Sequence, residues 1–205
     1  MSTRVWREDT VVRYDYIRSM TPDWDFNEFV SMLPKEGNLL EIGSFLGRSA
    51  ICWAETFKSH NKDWNIHTVD MFRGIEVKKT LDDEMDWYMK NFVISEEEHL
   101  EEFKKNIDGW DNITWEKEWI GTTIEVADYN PPVEPTALFY DADHRYIVLN
   151  KVLERFKEVP FMFIDDYGKD FKGTIRSVDE FVGQTGRQFF IREHQGRRGA
   201  IAVII

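Results

Sequence analysis

Two apolar runs in this sequence end in acids. "ALFYDADHRY" (137–146) closes on Asp141, Asp143 and His144, and "FMFIDDY" (161–167) closes on Asp165 and Asp166. Carboxylates gathered beyond buried strands hold a hard cation. An imidazole beside them titrates near neutrality and can move a proton. The plainer use of a single acid in such a place is to cap the helix that follows, as Asp143 would for a helix beginning near Arg145.

A third stretch, "LLEIGSFLGRS" (39–49), sets Glu41 ahead of Gly43 and Gly47. The glycines let the backbone turn tightly and approach a ligand closely. The free N–H groups of the helix start beyond them attract a carboxylate or phosphate. Glu41 suits an ammonium, so the ligand this turn fits carries both an amine and a carboxylate. The spacing is not G-x-G-x-x-G, which argues against a dinucleotide. Asp70 ends "HTVD" (67–70), at the distance along the chain where an acid commonly takes ribose hydroxyls. Glu41, the glycines and Asp70 together describe a nucleoside joined to an amino acid.

Such residues need strands to carry them. "NLLEIGS", "WNIHTVDMF", "NITWEKEWIG", "TALFYDAD" and "FMFIDDY" read as strands. Between them "RSAICWAETFKSH", "EEEHLEEFKKNI", "RYIVLNKVLERFKEV" and "GTIRSVDEFVGQTG" read as helices, with "TTIEVADY" a short one. Ser95 and Glu98 stand at capping-box spacing, and Val148, Val152 and Phe156 share one face of their helix. Strand and helix alternating over short connections make right-handed βαβ units and a mostly parallel sheet. "RQFFIREH" and "GAIAVII" close the chain as a hairpin, adding one antiparallel strand. In such sheets ligands bind beyond the carboxyl ends of the strands, which is where the acids lie. The predicted fold class is α/β, Rossmann-like.

Two segments stand outside the alternation. Residues 1–38 read as an N-terminal cap with a helix in "TPDWDFNEFVSML", Thr21 its N-cap and Pro22 in the first turn. Residues 39–205 form the main domain, with an insertion at 73–95 whose Trp87, Tyr88 and Phe92 suit a lid.

The formal net charge of −12 disfavours duplex DNA or RNA, whose binding rests on Lys and Arg neutralising phosphates. The basic run "REHQGRRG" (192–199) reads as a solvated hairpin turn, and "YNPPVE" (129–134) as a loop breaker. Cys52, the one cysteine, reads as a small core residue. No secretory signal, transit peptide or membrane-length apolar run is visible, which predicts a cytoplasmic protein without a membrane partner.

"EIGSFLGRSA", "TVD", "FYDADHRY" and "FIDDYGKDFKGTIRSVDEF", in this order, resemble class I S-adenosylmethionine-dependent methyltransferases, over Leu39 to Ile205. The motifs look most like the metal-dependent O-methyltransferases of antibiotic sugars (macrolide and aminocoumarin types), with catechol-type enzymes more distant. The resemblance implies a seven-stranded sheet whose last strand is antiparallel. It implies S-adenosylmethionine held by Glu41, Gly43, Ser44, Gly47, Ser49 and Asp70. Gly121 and Thr122 would border the adenine, and Asp141 would also contact the cofactor. It implies Asp141, Asp165 and Asp166 as ligands of Mg²⁺ or another divalent cation, with His144 or Asp143 as base. The acceptor would be a hydroxyl on a small molecule, a sugar among the candidates, and a homo-oligomer stays open. The chain departs from the pattern by lacking a Gly-Gly turn before "PFMF". Asp165 and Asp166 are also adjacent, so both ligate only if the strand ends there. The competing readings are a hydroxylase-like relative on the same fold and a protein that binds cofactor or metal without turnover.

Overall fold

The computed structural model describes residues 17, 26–74, 94–118, 128–168, 170–193 and 200–205. Strand and helix alternate along the chain as the sequence predicts. In chain order the elements are α1 (Asn27–Met32), β1 (Glu36–Ile42), α2 (Arg48–Ser59), β2 (Asp63–Asp70), α3 (Glu96–Ile107) and β3 (Ile113–Lys117). Then follow β4 (Ala137–Tyr140), α4 (Tyr146–Arg155), β5 (Phe161–Ile164), α5 (Lys172–Thr185), β6 (Phe189–Glu193) and β7 (Ala200–Ile204).

The strands form one seven-stranded sheet in the order β3-β2-β1-β4-β5-β7-β6. All neighbouring pairs from β3 to β5 are parallel, and β7 runs antiparallel to both β5 and β6. Strand order reverses at β1, which has β2 on one side and β4 on the other. A crevice for a ligand belongs at that switch point.

Strand alternation sorts side chains onto two layers. Leu39 of β1, Trp64 and Ile66 of β2 and Phe139 of β4 pack with α1 and α2 on one face. Leu40, Ile42, Leu138 and Tyr140 pack with α4 and α5 on the other. Val148 and Val152 of α4 are buried there with Phe156 just past the helix, as their spacing predicts.

The first layer is unusually aromatic. Trp53 stacks on Phe26 with centroids 3.9 Å apart, and Phe57 stacks on Trp64 at 4.7 Å. Such pairs contribute about 0.5–1.5 kcal/mol each beyond their buried area. They fasten residues 26–33 into the core, and β1 then begins at Glu36. The boundary drawn at residue 38 therefore falls inside a strand, where Gly37 and Asn38 carry no apolar signal. Thr21 and Pro22, residues 75–93 of the insertion and most of the short helix at 122–129 lie outside the described residues.

Helix α3 carries the full capping box: the Ser95 hydroxyl accepts from the Glu98 amide, and the Glu98 carboxylate accepts from the Ser95 amide at 3.0 Å. Arg192, at the head of the basic run, pairs with Glu28 at 2.7 Å; residues 194–199 lie outside the described residues. Among the described residues no helix is long and apolar enough to cross a membrane.

Candidate functional site

The sheet register places the suspected residues in one row. Ile42 pairs with Val69 on one side and Tyr140 on the other, and Tyr140 pairs with Ile164. The next residue of each strand path is therefore Asp70, Gly43, Asp141 and Asp165. Backbone bonds close the row: Gly43 N–H donates to Val69 O, Asp141 N–H to Ile42 O and Asp165 N–H to Tyr140 O.

Glu41 lies just beneath this row, fully buried. Its register neighbour Thr68 donates a hydroxyl bond of 2.6 Å to Oε2, while Oε1 is buried with no hydrogen-bond partner among the described residues. Burial pushes the Glu41 carboxyl up to about 7. The nearby Ser49 and Thr68 hydroxyls pull it partway back, and Asp70 adds to the rise. A buried acceptor in this condition calls for a cationic or hydrogen-bonding partner. The Ser44 hydroxyl is also buried without one among the described residues.

The glycine turn proves to be fixed by protein rather than by ligand contact. A Cβ at Gly43, where φ is +91°, would come within 2.0 Å of the Asp141 carbonyl oxygen. A Cβ at Gly47 would press on Phe103 and Ile107 at 3.0–3.1 Å. The sequence suggests glycine for close approach of a ligand; here the close approach is between β1 and β4 and between α2 and α3. Gly47 is the left-handed N-cap of α2 and provides no side-chain cap.

Asp70 is a turn organiser in this structure. Its Oδ2 accepts from the Ser44 and Phe45 amides at 2.9 and 2.8 Å, and its Oδ1 accepts from Phe72 N–H at 2.8 Å. Each carboxylate oxygen has two lone pairs, so Oδ2 is saturated and one lone pair, on Oδ1, remains for a ribose hydroxyl.

On the other side of the switch point, Asp141, His144 and Asp166 bring ligand atoms within 4.8 Å of one another. Strand β5 ends at Ile164, and Asp166 turns left-handed with φ 55°. That turn solves the adjacency of the two acids. Asp165 stays buried (1% exposed) next to Asp141, while Asp166 swings out to His144, Oδ2 to Nε2 at 3.1 Å. Dense packing around Asp141, then the Asp165 and Asp166 carboxylates, holds its carboxyl well above the usual range; His144 offsets this in part. Burial and the Asp166 charge likewise raise Asp165. Burial alone would lower the His144 imidazole, but Asp166 foremost, with Asp141 and Asp143, outweighs it and raises the group. So much negative charge in a tight group fits a divalent cation. The donor set mixes oxygen with an imidazole rather than being oxygen alone. His144 Nδ1 is buried with no hydrogen-bond partner among the described residues, and Phe171 lies edge-on to the ring at 4.7 Å.

Asp143 is drawn away from this group. Its Oδ1 accepts from the Arg145 amide at 2.9 Å, and both oxygens accept from Arg145 Nε at 2.9 and 2.8 Å. The helix cap expected of Asp143 is not formed, since α4 has Arg145 as its N-cap with no side-chain cap bond; Asp143 closes a local turn onto Arg145 instead. Gly121 and Thr122 lie outside the described residues.

Sequence reading overlooked Thr68 and His99. His99 shares the buried stripe of α3 with Phe103 and Ile107, at i, i+4 and i+8, and that spacing was the signal available.

No family model matches the chain, and no curated protein matches it. Solved structures do. The O-methyltransferase NovP superposes with a TM-score of 0.58 at 21% identity, covering 85% of this chain and 74% of its own. An O-methyltransferase from Bacillus cereus in complex with SAH gives 0.59 at 12% identity, over 99% and 93%. The SAH-bound methyltransferase PaMTH1 of Podospora anserina gives 0.53 at 14%, over 97% and 88%. Strand order, the antiparallel β7 and these superpositions agree: the chain has the class I S-adenosylmethionine-dependent methyltransferase fold.

Proposed function

We propose that the protein transfers a methyl group from S-adenosylmethionine to a hydroxyl oxygen of a small molecule, assisted by a divalent cation. The observation that carries this reading is the row itself. A buried carboxylate oxygen on Glu41, without a hydrogen-bond partner among the described residues, lies on one side of the switch point, and the Asp141–His144–Asp166 group lies on the other. The names of two structural neighbours, both O-methyltransferases, favour oxygen as the atom methylated.

Glu41 and Ser44 would bind the amino-acid part of the cofactor, the carboxylate of Glu41 taking the ammonium. Asp70 holds the turn in shape through the Ser44 and Phe45 amides and would offer the one spare lone pair of Oδ1 to a ribose hydroxyl. Asp141, His144 and Asp166 would hold the cation, with Asp165 packed behind Asp141. A bound divalent cation lowers the pKa of a hydroxyl that reaches it and orients vicinal oxygens. In this reading His144 is a ligand rather than a free base: its ring and the Asp166 carboxylate, 3.1 Å apart, would turn together to the cation. Asp143, tied to Arg145, keeps the 141–145 loop in place. The imidazole tilts the choice of ion from Mg²⁺ towards Mn²⁺ and other borderline cations. The chain's main contribution is position, holding the acceptor oxygen in line with the methyl group.

The test is a screen of small-molecule hydroxyl acceptors, sugars included, with S-adenosylmethionine and either Mg²⁺, Mn²⁺ or excess EDTA. The expected product is heavier than the acceptor by one CH₂ and forms only with metal. A product formed at full rate in EDTA would remove the cation from the reading; an added oxygen instead of CH₂ would replace methylation by hydroxylation.

A further inference from the structure

His99 belongs to none of the groups above, yet both of its ring nitrogens are committed. It is buried, 4% exposed, on α3. Nε2 lies 2.9 Å from the Phe45 carbonyl, and Nδ1 accepts from the Gly74 amide at 3.2 Å. Because a backbone N–H can only donate, Nδ1 must be the acceptor and Nε2 must carry the proton. The ring is thereby fixed as the neutral Nε2–H tautomer.

The two backbone groups it joins are both in left-handed conformations. Phe45 has φ 47° and Gly74 φ 77°. Phe45 sits in the turn between β1 and α2, with its N–H held by Asp70 and its carbonyl by His99. A left-handed conformation at a bulky residue is strained and persists only where its surroundings enforce it. Gly74 lies where the chain leaves β2 for the insertion. A Cβ there would meet Ile94 O at 2.5 Å and Glu96 N at 2.8 Å, so the returning chain is pressed against it. The Phe45 and Phe72 rings stand edge-on to the imidazole at 5.0 and 5.4 Å.

We infer that His99 is a positioning residue for cofactor binding: it locks the Phe45 carbonyl of the β1–α2 turn to the Gly74 amide at the neck of the insertion. The inference rests on the reading of that turn as the cofactor site. Without the Nε2–H bond, Phe45 relaxes towards ordinary backbone angles, and the amides of Ser44 and Phe45 leave the arrangement Asp70 now holds. The turn would then have to be ordered again each time cofactor binds.

Calorimetry with S-adenosylhomocysteine on the full chain tests this in wild type, His99→Gln, His99→Asn and His99→Leu. Glutamine reaches the place of Nε2 and can donate to Phe45 O; asparagine ends near Nδ1 and cannot. Glutamine should bind within about threefold of wild type, and asparagine and leucine about tenfold more weakly, the equivalent of one hydrogen bond. The ¹⁵N shifts of the wild-type imidazole should report the Nε2–H tautomer. Wild type that binds while asparagine binds equally well would overturn the role of His99 alone, as would glutamine no better than asparagine. Wild type that does not bind would overturn the cofactor reading of the turn, and this inference with it.

Discussion

Replacing Glu41 by glutamine should make the protein more stable and less able to bind its cofactor. The carboxyl is fully buried, and burial lifts it from 4.5 to about 7. Below pH 4.5 the folded and unfolded chains both hold the proton, and the group is neutral in stability. Between 4.5 and about 7 the unfolded chain releases the proton while the folded chain keeps it, so stability falls as pH rises. Above about 7 the folded chain also ionises, and a constant penalty of roughly 3 kcal/mol remains at about 1.4 kcal/mol per pKa unit. Glutamine has the same shape, can accept the Thr68 hydroxyl bond and carries no charge. The advantage of Glu41→Gln over wild type should therefore widen by about 2.5 kcal/mol between pH 5 and pH 8. Urea unfolding at the two pH values measures it directly. At pH 8 the variant should also bind S-adenosylmethionine more weakly, because the ammonium has lost its counter-charge. An advantage that is the same at both pH values, or a variant less stable than wild type at pH 8, would refute the reasoning. A residue that weakens the fold where it strengthens binding marks a functional position.

Gly43→Ala should lower stability by about 3 kcal/mol or more, since its Cβ meets the Asp141 carbonyl at 2.0 Å with φ +91°; a melting temperature equal to wild type would show that β1 and β4 do not approach so closely. Asp70→Asn turns one acceptor into a donor facing backbone N–H groups, so both stability and S-adenosylhomocysteine affinity should fall, and unchanged affinity by calorimetry would separate Asp70 from the cofactor. Ser95→Ala breaks the capping box and should cost about 1 kcal/mol in urea unfolding; no change would mean that α3 is held by its packing alone. His144→Ala should weaken Mn²⁺ binding as strongly as Asp166→Asn while leaving S-adenosylhomocysteine affinity unchanged; tight Mn²⁺ binding by the histidine variant would return His144 to the part of a base.

The row at the strand ends was legible because each of its residues terminates an apolar run, and runs of that length fix where strands stop. Glu41 could be connected with an ammonium from its place ahead of the glycine turn. Its buried state could not, since that depends on Thr68 and on β4, far off in sequence. Asp165 and Asp166 show the same limit. Their adjacency posed the problem, but the left-handed turn at Asp166 that solves it uses a residue type only modestly inclined to that conformation. His144 and Asp143 look interchangeable in "DADHRY"; the Arg145 side chain and the position of β5 tell them apart. His99 hides in an otherwise charged helix, where only its four-residue spacing to Phe103 and Ile107 points inward.

The central claim is that the carboxyl ends of β2, β1 and β4 form a cofactor site. Titrating S-adenosylhomocysteine into ¹⁵N-labelled protein tests it without knowledge of the acceptor. The amides of Gly43, Ser44, Phe45, Asp70 and Asp141 should shift together with one saturating curve, and should shift far less in Glu41→Gln at pH 8. An unchanged spectrum, or shifts confined to residues away from this row, would contradict the claim.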